Sequence, residues 1–386
     1  MNPYRLNPDQ LKLIDQLKTL ADTHIAPYAA DVDESARFPT ESLSALANEG
    51  FWGLNVSTEH GGLGQRLRVV AAAVDVVAQR CSSTSMVYLM HLCGVAAYNA
   101  EANRMGDQLR AAAAGKHLST LAWSERGSRS HFWAPISQAQ EEGDHVVLEG
   151  VKSWVTSAGH AQGYVVSTRA AGSDDPMALT LYLVEDGDAG FRIESPWDGL
   201  GMRGNASAPM VMDNLRLPQT RALSEPGKGM DTMMGAVLPT FAVGNSAVSI
   251  GCCEAAFAAT QGHMVGQKLL HLGQSLADLP NLRERLARMR LRTDQARAYL
   301  AATVEALESG DESAMLWALG TKAQAGEAAL EVTDLAMRTC GGAAFSRHLG
   351  LERVFRDARA MSVMAPTSDA LHDFVGRALC GMELFS

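Results

Sequence analysis

Nowhere in these 386 residues do lysines and arginines gather into a block. The formal charge is −10, from 33 Lys and Arg against 43 Asp and Glu, so a nucleic acid would meet a repelling surface and any bound phosphate must be held locally. Cysteine is scarce as well. The six, Cys81, Cys93, Cys252, Cys253, Cys340 and Cys380, show no Cys-x-x-Cys spacing, which excludes a disulfide framework and leaves buried, reduced thiols. His263 and His271 stand too far apart for one helical turn, so no zinc motif arises. Gly244-Asn245-Ser246-Ala247-Val248 lacks the final glycine of a hydrolase elbow. No Gly-x-Gly-x-x-Gly follows a strand to open a helix, so a nicotinamide dinucleotide domain is excluded. No run of 18 apolar residues marks a membrane span. Met1-Asn2-Pro3-Tyr4 leads straight into an amphipathic pattern with no secretory leader, and a cytoplasmic location is the expectation.

What remains is a globular composition, 47% apolar and 20% charged, in a chain long enough for two or three cores. Asn7-Pro8-Asp9-Gln10 reads as a helix start, with a side-chain cap, a proline that needs no amide hydrogen and Gln three residues after the cap. Leu11, Ile14, Leu17, Ala21 and Ile25 then recur at helical spacing. A second helical segment runs from Ser42 to Glu49, before Gly50. Glu59-His60-Gly61-Gly62-Leu63-Gly64 is read as a structural turn. The stretch from Val69 to Ala100 is apolar all round, as in a buried helix, with His91 as a core histidine. From Leu118 the period changes to short β runs: 146–148, 164–166, 179–184, 191–193 and 210–212. Helical patterning returns near Lys228, with Pro239 as a kink or restart. Its cleanest stripe runs Leu282, Leu286, Met289, Ala296, Leu300, Val304, Leu307 and closes at Gly310.

Three stretches point to one chemistry. Trp123-Ser124-Glu125-Arg126-Gly127-Ser128-Arg129-Ser130 supplies small hydroxyls at the edge of the β region. Lys152-Ser153-Trp154-Val155-Thr156 sets an aromatic wall beside a hydroxyl. Arg338-Thr339-Cys340-Gly341-Gly342 leads through Arg353, Arg356 and Asp357 to Ala365-Pro366-Thr367-Ser368-Asp369. Together they resemble the acyl-CoA dehydrogenase family of flavoproteins, in its Thr-Glu-Pro-Gly-x-Gly-Ser-Asp, Lys-x-Trp-Ile-Thr and Gly-Gly…Arg-Asp-Ala…Glu-Gly-Thr motifs. The resemblance implies an α+β fold: an N-terminal helical domain over 1–117, a middle β-barrel-like domain over 118–222 and a C-terminal four-helix-bundle domain over 223–386. It implies FAD, held by Trp123, Ser124, Ser130, Trp154, Thr156, Arg338, Gly341, Gly342, Thr367 and Asp369. The glycine pair is expected to touch the dinucleotide of a neighbouring subunit, so a homo-oligomer, dimer or tetramer, is expected.

The chain departs from that pattern where the chemistry is done. Ala365 stands where the family carries its catalytic glutamate, and the alternative address on an earlier helix falls near Phe241. The family's pyrophosphate arginine and its phenylalanine fall on Leu269 and Leu272. Arg338, helped by Lys268 and His271, is the expected substitute. Three functions remain open. One is α,β-dehydrogenation of an acyl thioester, CoA- or carrier-protein-linked, with a replacement base at Asp369, His91 or Glu125. A second is a flavin-dependent monooxygenase served by a flavin reductase, in which His131 or His372 donates a proton. The third is a non-catalytic FAD-binding subunit.

Overall fold

The computed structural model describes residues 2–128, 131–175 and 177–384. Asn7 caps α1 (Pro8–His24) by accepting from the amides of Asp9 and Gln10, and Gln10 bonds back to the Asn7 amide, closing a capping box. A short α2 (Ala29–Glu34) and α3 (Thr40–Asn48) follow. The apolar stretch after the glycine turn forms two helices rather than one, α4 (Leu67–Ala78) and α5 (Ser82–Ala100). The chain breaks at Gln79–Cys81, where Cys81 is extended and its sulfur caps Thr84, a stop hidden by the hydrophobicity on either side. α6 (Ala102–Ala113) completes the N-terminal helical region.

The middle region is two sheets. β1 (Ser119–Ala122) pairs in parallel with β4 (Gly163–Arg169), and β4 runs antiparallel to β5 (Leu179–Glu185). The second sheet has the order β2 (Gln138–Glu142), β3 (His145–Val155), β7 (Ala208–Pro218), β6 (Phe191–Ile193), all antiparallel. Between them lies a separate apolar core that includes Leu148, Tyr164, Val166, Val184 and Met212.

The C-terminal region begins with α7 (Gly229–Thr232) and a π-helical turn, Met233–Val237, that feeds α8 (Leu238–Gly266). Pro239 sits at the start of α8, directly after the π-helical turn, which is where the helix changes type. Residues 229–266 are long and apolar enough to cross a membrane, yet most of that run is buried against its own fold. At Gly244 a Cβ would strike Leu89 at 2.0 Å, which marks how closely α8 lies on α5. A small hairpin, β8 (Lys268–Leu269) with β9 (Gln274–Ser275), leads to α9 (Pro280–Ser309), which stops at Gly310 with φ +71°. α10 (Ala314–Cys340), α11 (Gly342–Phe345), α12 (Leu351–Val363) and α13 (Ser368–Leu379) finish the chain. The fold is therefore α+β, with helices before and after a β middle. One continuous core runs through both helical regions and takes in β5 residues such as Leu181.

Candidate functional site

Where the three regions meet lies a cavity of about 1160 Å³, somewhat larger than the roughly 300–1,000 Å³ of most small-molecule and cofactor sites. Its β side is made by the end of β3. There the pairing with β7 slips between Lys152 and Val155, and Trp154 adopts a left-handed backbone at φ +58°, uncommon for a residue with a Cβ. The slip swings the indole out of the sheet. It is 65% exposed and meets Trp197 edge-on at 5.8 Å. Thr156, two residues on, is buried. Its hydroxyl lies 3.1 Å from that of Ser207, and its carbonyl accepts from Thr120 Oγ1 at 2.8 Å.

The slip is anchored beneath by charge. The ammonium of Lys152, fully buried, pairs with the Glu125 carboxylate, which also accepts from the Ile136 and Ser137 amides. Burial pushes the Glu125 carboxyl upward, but the Lys152 charge and these hydrogen bonds outweigh it and hold the group below its ordinary value. Ser124 is joined to the same strand, its carbonyl accepting from the Ser153 amide at 2.8 Å.

The opposite wall is the turn Met364-Ala365-Pro366-Thr367 between α12 and α13. Thr367 caps α13 by accepting from the Ala370 amide at 3.3 Å, and Asp369 projects from the first turn. Under the turn lies Lys322 of α10, buried and without a carboxylate partner among the described residues. It donates to the carbonyls of Met364 at 3.0 Å and Pro366 at 2.8 Å. Burial pulls its pKa down to about 7. A third tie joins the regions. Asp357 accepts from the Met202 amide at 2.6 Å beside the cavity, its carboxyl raised by burial to about 6, and Arg356 pairs with Asp33 of α2 at 2.9 Å.

Residues 7–105, 120–215 and 227–380 match, in that order, the N-terminal, middle and C-terminal domains of acyl-CoA dehydrogenase. The chain belongs to the acyl-CoA dehydrogenase family. It is 27% identical to a probable acyl-CoA dehydrogenase, FadE25, of Mycobacterium tuberculosis, over 97% of this chain and 96% of the relative. Its fold matches butyryl-CoA dehydrogenase from Megasphaera elsdenii with a TM-score of 0.91 at 21% identity, over 97% and 99% of the two chains. It also matches KijD3, solved with FMN and dTDP-3-amino-2,3,6-trideoxy-4-keto-3-methyl-D-glucose, with a TM-score of 0.87 at 23% identity, over 98% and 95%.

Of the residues that the family resemblance names, the structure brings Trp123, Ser124, Trp154, Thr156, Thr367 and Asp369 to one cavity, with Ala365 among them. Ser130 lies outside the described residues. Gly341, Gly342 and Arg338 are elsewhere, exposed at the end of α10. Arg338 faces Asp334 at 3.7 Å and has no contact with the cavity of its own chain. Lys268 and His271 are likewise exposed, on the β8–β9 hairpin. Two of the candidate bases are otherwise engaged. His91 is away from the cavity and wholly buried. Its Nε2 donates to the Trp52 carbonyl at 2.8 Å, its Nδ1 accepts from the Ser119 amide at 3.1 Å, and burial lowers its pKa to about 4. Glu125 is committed to Lys152. Sequence reading missed Glu327 of α10, a cavity-lining carboxylate paired with His372 at 3.4 Å, and Asn205, which reaches the wall from a loop with no motif.

The residues present fit a flavin. Asn205 Oδ1 and Ser368 Oγ are buried in the cavity wall without a protein partner. Leaving such groups unpaired costs about 1–3 kcal/mol each, and both belong to residues that line the cavity beside the exposed indole of Trp154.

Proposed function

We propose that this chain is an FAD-dependent oxidoreductase that removes hydrogen from the α and β carbons of an acyl thioester, as a homo-oligomer. The observation that carries it is the convergence of Trp154, Thr156 and the 364–369 turn on one cavity. A bound flavin supplies the two-electron acceptor. Trp154 offers a flat wall to the ring and Thr156 a hydroxyl held in place by Ser207. Asp369 is the base this function requires. Of the three carboxylates at the wall among the described residues, Glu125 is tied to Lys152, Glu327 lies on α10 3.4 Å from His372, and Asp369 stands on the turn beside Ala365 and takes the α-proton. Electrons then leave through a separate electron-transfer partner. Gly341, Gly342 and Arg338, on the outer face, serve the dinucleotide of a neighbouring subunit. Arg338→Gln is expected to weaken FAD retention, and unchanged affinity discards that role.

Anaerobic titration of the purified yellow protein with a panel of acyl thioesters tests the main proposal. Bleaching supports it. Asp369→Asn should then slow bleaching by about 10²–10⁴-fold, the usual worth of a positioned base, while the protein stays yellow.

The absence of a carboxylate at Ala365 favours a second reading, a flavin monooxygenase that needs no α-proton base. Oxygen uptake coupled to a flavin reductase, without anaerobic bleaching, would replace the first reading by the second. Neither response in a yellow protein would leave an FAD-binding subunit without catalysis.

A further inference from the structure

The turn between α12 and α13 brings Ala365 and Asp369 to the cavity, yet its own stretch of chain does little to hold it there. α12 ends at Val363, so the carbonyls at that end run out of amide donors, and Pro366 brings none. Thr367 ties forward only, to the Ala370 amide of α13. Among the described residues, two side chains from other elements bond to residues 364–367. One is Asn245 of α8, whose amide reaches the Met364 sulfur, a weak acceptor, at 3.7 Å. The other is Lys322 of α10, which donates to the carbonyls of Met361 at 3.4 Å, Met364 at 3.0 Å and Pro366 at 2.8 Å. Its ammonium closes the end of α12, where a cation also meets the negative pole of the helix, and binds the turn at the same time. The ring of Phe241, a cavity-lining residue of α8, stands 5.9 Å from that ammonium. One turn along α10, Gly326 keeps the approach close: a Cβ there would lie 3.5 Å from the Met361 carbonyl and 3.6 Å from Ser368 Oγ. Lys322 itself is 1% exposed and is not part of the cavity lining.

We propose that Lys322 is a positioning residue: by fixing the carbonyls of Met364 and Pro366 it sets where Asp369 stands in the cavity. This role rests on the acyl-thioester reading above and names the group that holds its base in place. Lys322 touches no substrate and exchanges no proton in the reaction. Asp369 follows Pro366 by three residues, and the Thr367 cap joins the turn to the first turn of α13, so a tie at Pro366 is felt at the carboxylate. Without that tie the thioester still finds its cavity, and the loss falls on the chemical step.

Anaerobic stopped-flow bleaching of the full-length yellow protein, with the thioester that bleaches it fastest, tests this role. Lys322→Met should lower the limiting rate by about 10²-fold, the cost of misplacing a catalytic group by an ångström, and leave the half-saturating concentration and the colour unchanged. In the Asp369→Asn background the same change should slow bleaching by no more than about twofold, because groups that act as a unit do not add. Lys322→Gln, which keeps two donors, should recover part of the loss, and it carries the same comparison where Lys322→Met does not fold. An unchanged limiting rate, or an equal loss with and without Asp369, overturns the role. Amide hydrogen exchange over residues 362–372 reads the turn without any reaction. It should speed up in Lys322→Met while the rest of the chain exchanges as before, and unaltered exchange overturns the role as well. A protein that no thioester bleaches ends the acyl-thioester reading, and exchange then decides alone whether Lys322 holds the turn.

Discussion

Lys152 and Glu125 show how a single pair of charges shapes the site. Both are almost wholly withdrawn from water, and each needs the other. Removing one leaves a bare charge in the interior, which typically costs about 3–5 kcal/mol, whereas replacing both with apolar side chains of similar size is often neutral. Glu125→Gln should therefore lower the urea midpoint sharply, and adding Lys152→Met to it should recover part of the loss, because the amide carbonyl that Glu125→Gln brings can still accept from the Ile136 and Ser137 amides. A double variant no more stable than Glu125→Gln would show that the pair is not the anchor described. The sequence exposed the lysine through its place beside Trp154 and Thr156. It did not expose the partner, because Glu125 and Lys152 lie 27 positions apart and are joined by a bridge that no local pattern records. Glu125 therefore entered as a candidate base with its ion pair unseen.

Elements were legible where their ends carry chemistry. The Asn7–Gln10 box, the Gly310 stop and the proline at the head of α8 each name a boundary by a physical device. Several elements escaped, two of them for a clear reason. β2 exposes four of its five residues and so has no apolar alternation to read, and the α4–α5 break is masked by apolar helix on both sides. The turn between α12 and α13 was legible as a motif, but its support was not. Lys322 sits in the middle of a helical stripe and looks like any other lysine until its three carbonyl acceptors, those of Met361, Met364 and Pro366, are seen. With its folded pKa near 7 against an ordinary 10.5, the unfolded chain binds this proton through the window between those values and the folded chain does not. Stability from this group is thus fullest above pH 10.5 and is lost as pH falls toward 7. Between pH 7 and 9 the native protein should gain about 2–3 kcal/mol relative to Lys322→Met, at about 1.4 kcal/mol per pH unit. Parallel stability curves for the two proteins over that range would refute the assignment. A neutral amine has two hydrogens for three carbonyls, so the longest contact, to Met361 at 3.4 Å, is the one released at high pH.

Over the whole molecule, the order helix, β, helix follows from hydrophobic period alone, whereas the packing of the N-terminal helices on the β region turns on buried histidines. His91 of α5 bonds to the Ser119 amide of β1, and His117 lies 3.1 Å from the hydroxyl of Tyr98. Both are buried, and burial lowers each pKa to about 4 from 6.5. Neither can take a second proton without facing a donor with a donor or charging an apolar interior. As pH falls below 6.5 the unfolded chain protonates these rings and the folded chain does not, so stability present above pH 6.5 is lost progressively until pH reaches about 4. Each ring contributes about 3 kcal/mol over that window, from about 1.4 kcal/mol per unit. The seam between α5 and β1 borders the cavity at Leu121 and Trp123, so the loss falls on the wall of the site as well as on the core. Thermal unfolding followed from pH 7 to pH 4 should show a steep fall in the midpoint, and His117→Gln, which removes one of the two titrations, should flatten it by roughly half of the paired effect. An unaltered slope in that variant would move the acid sensitivity to other groups and leave this seam without its titrating pair.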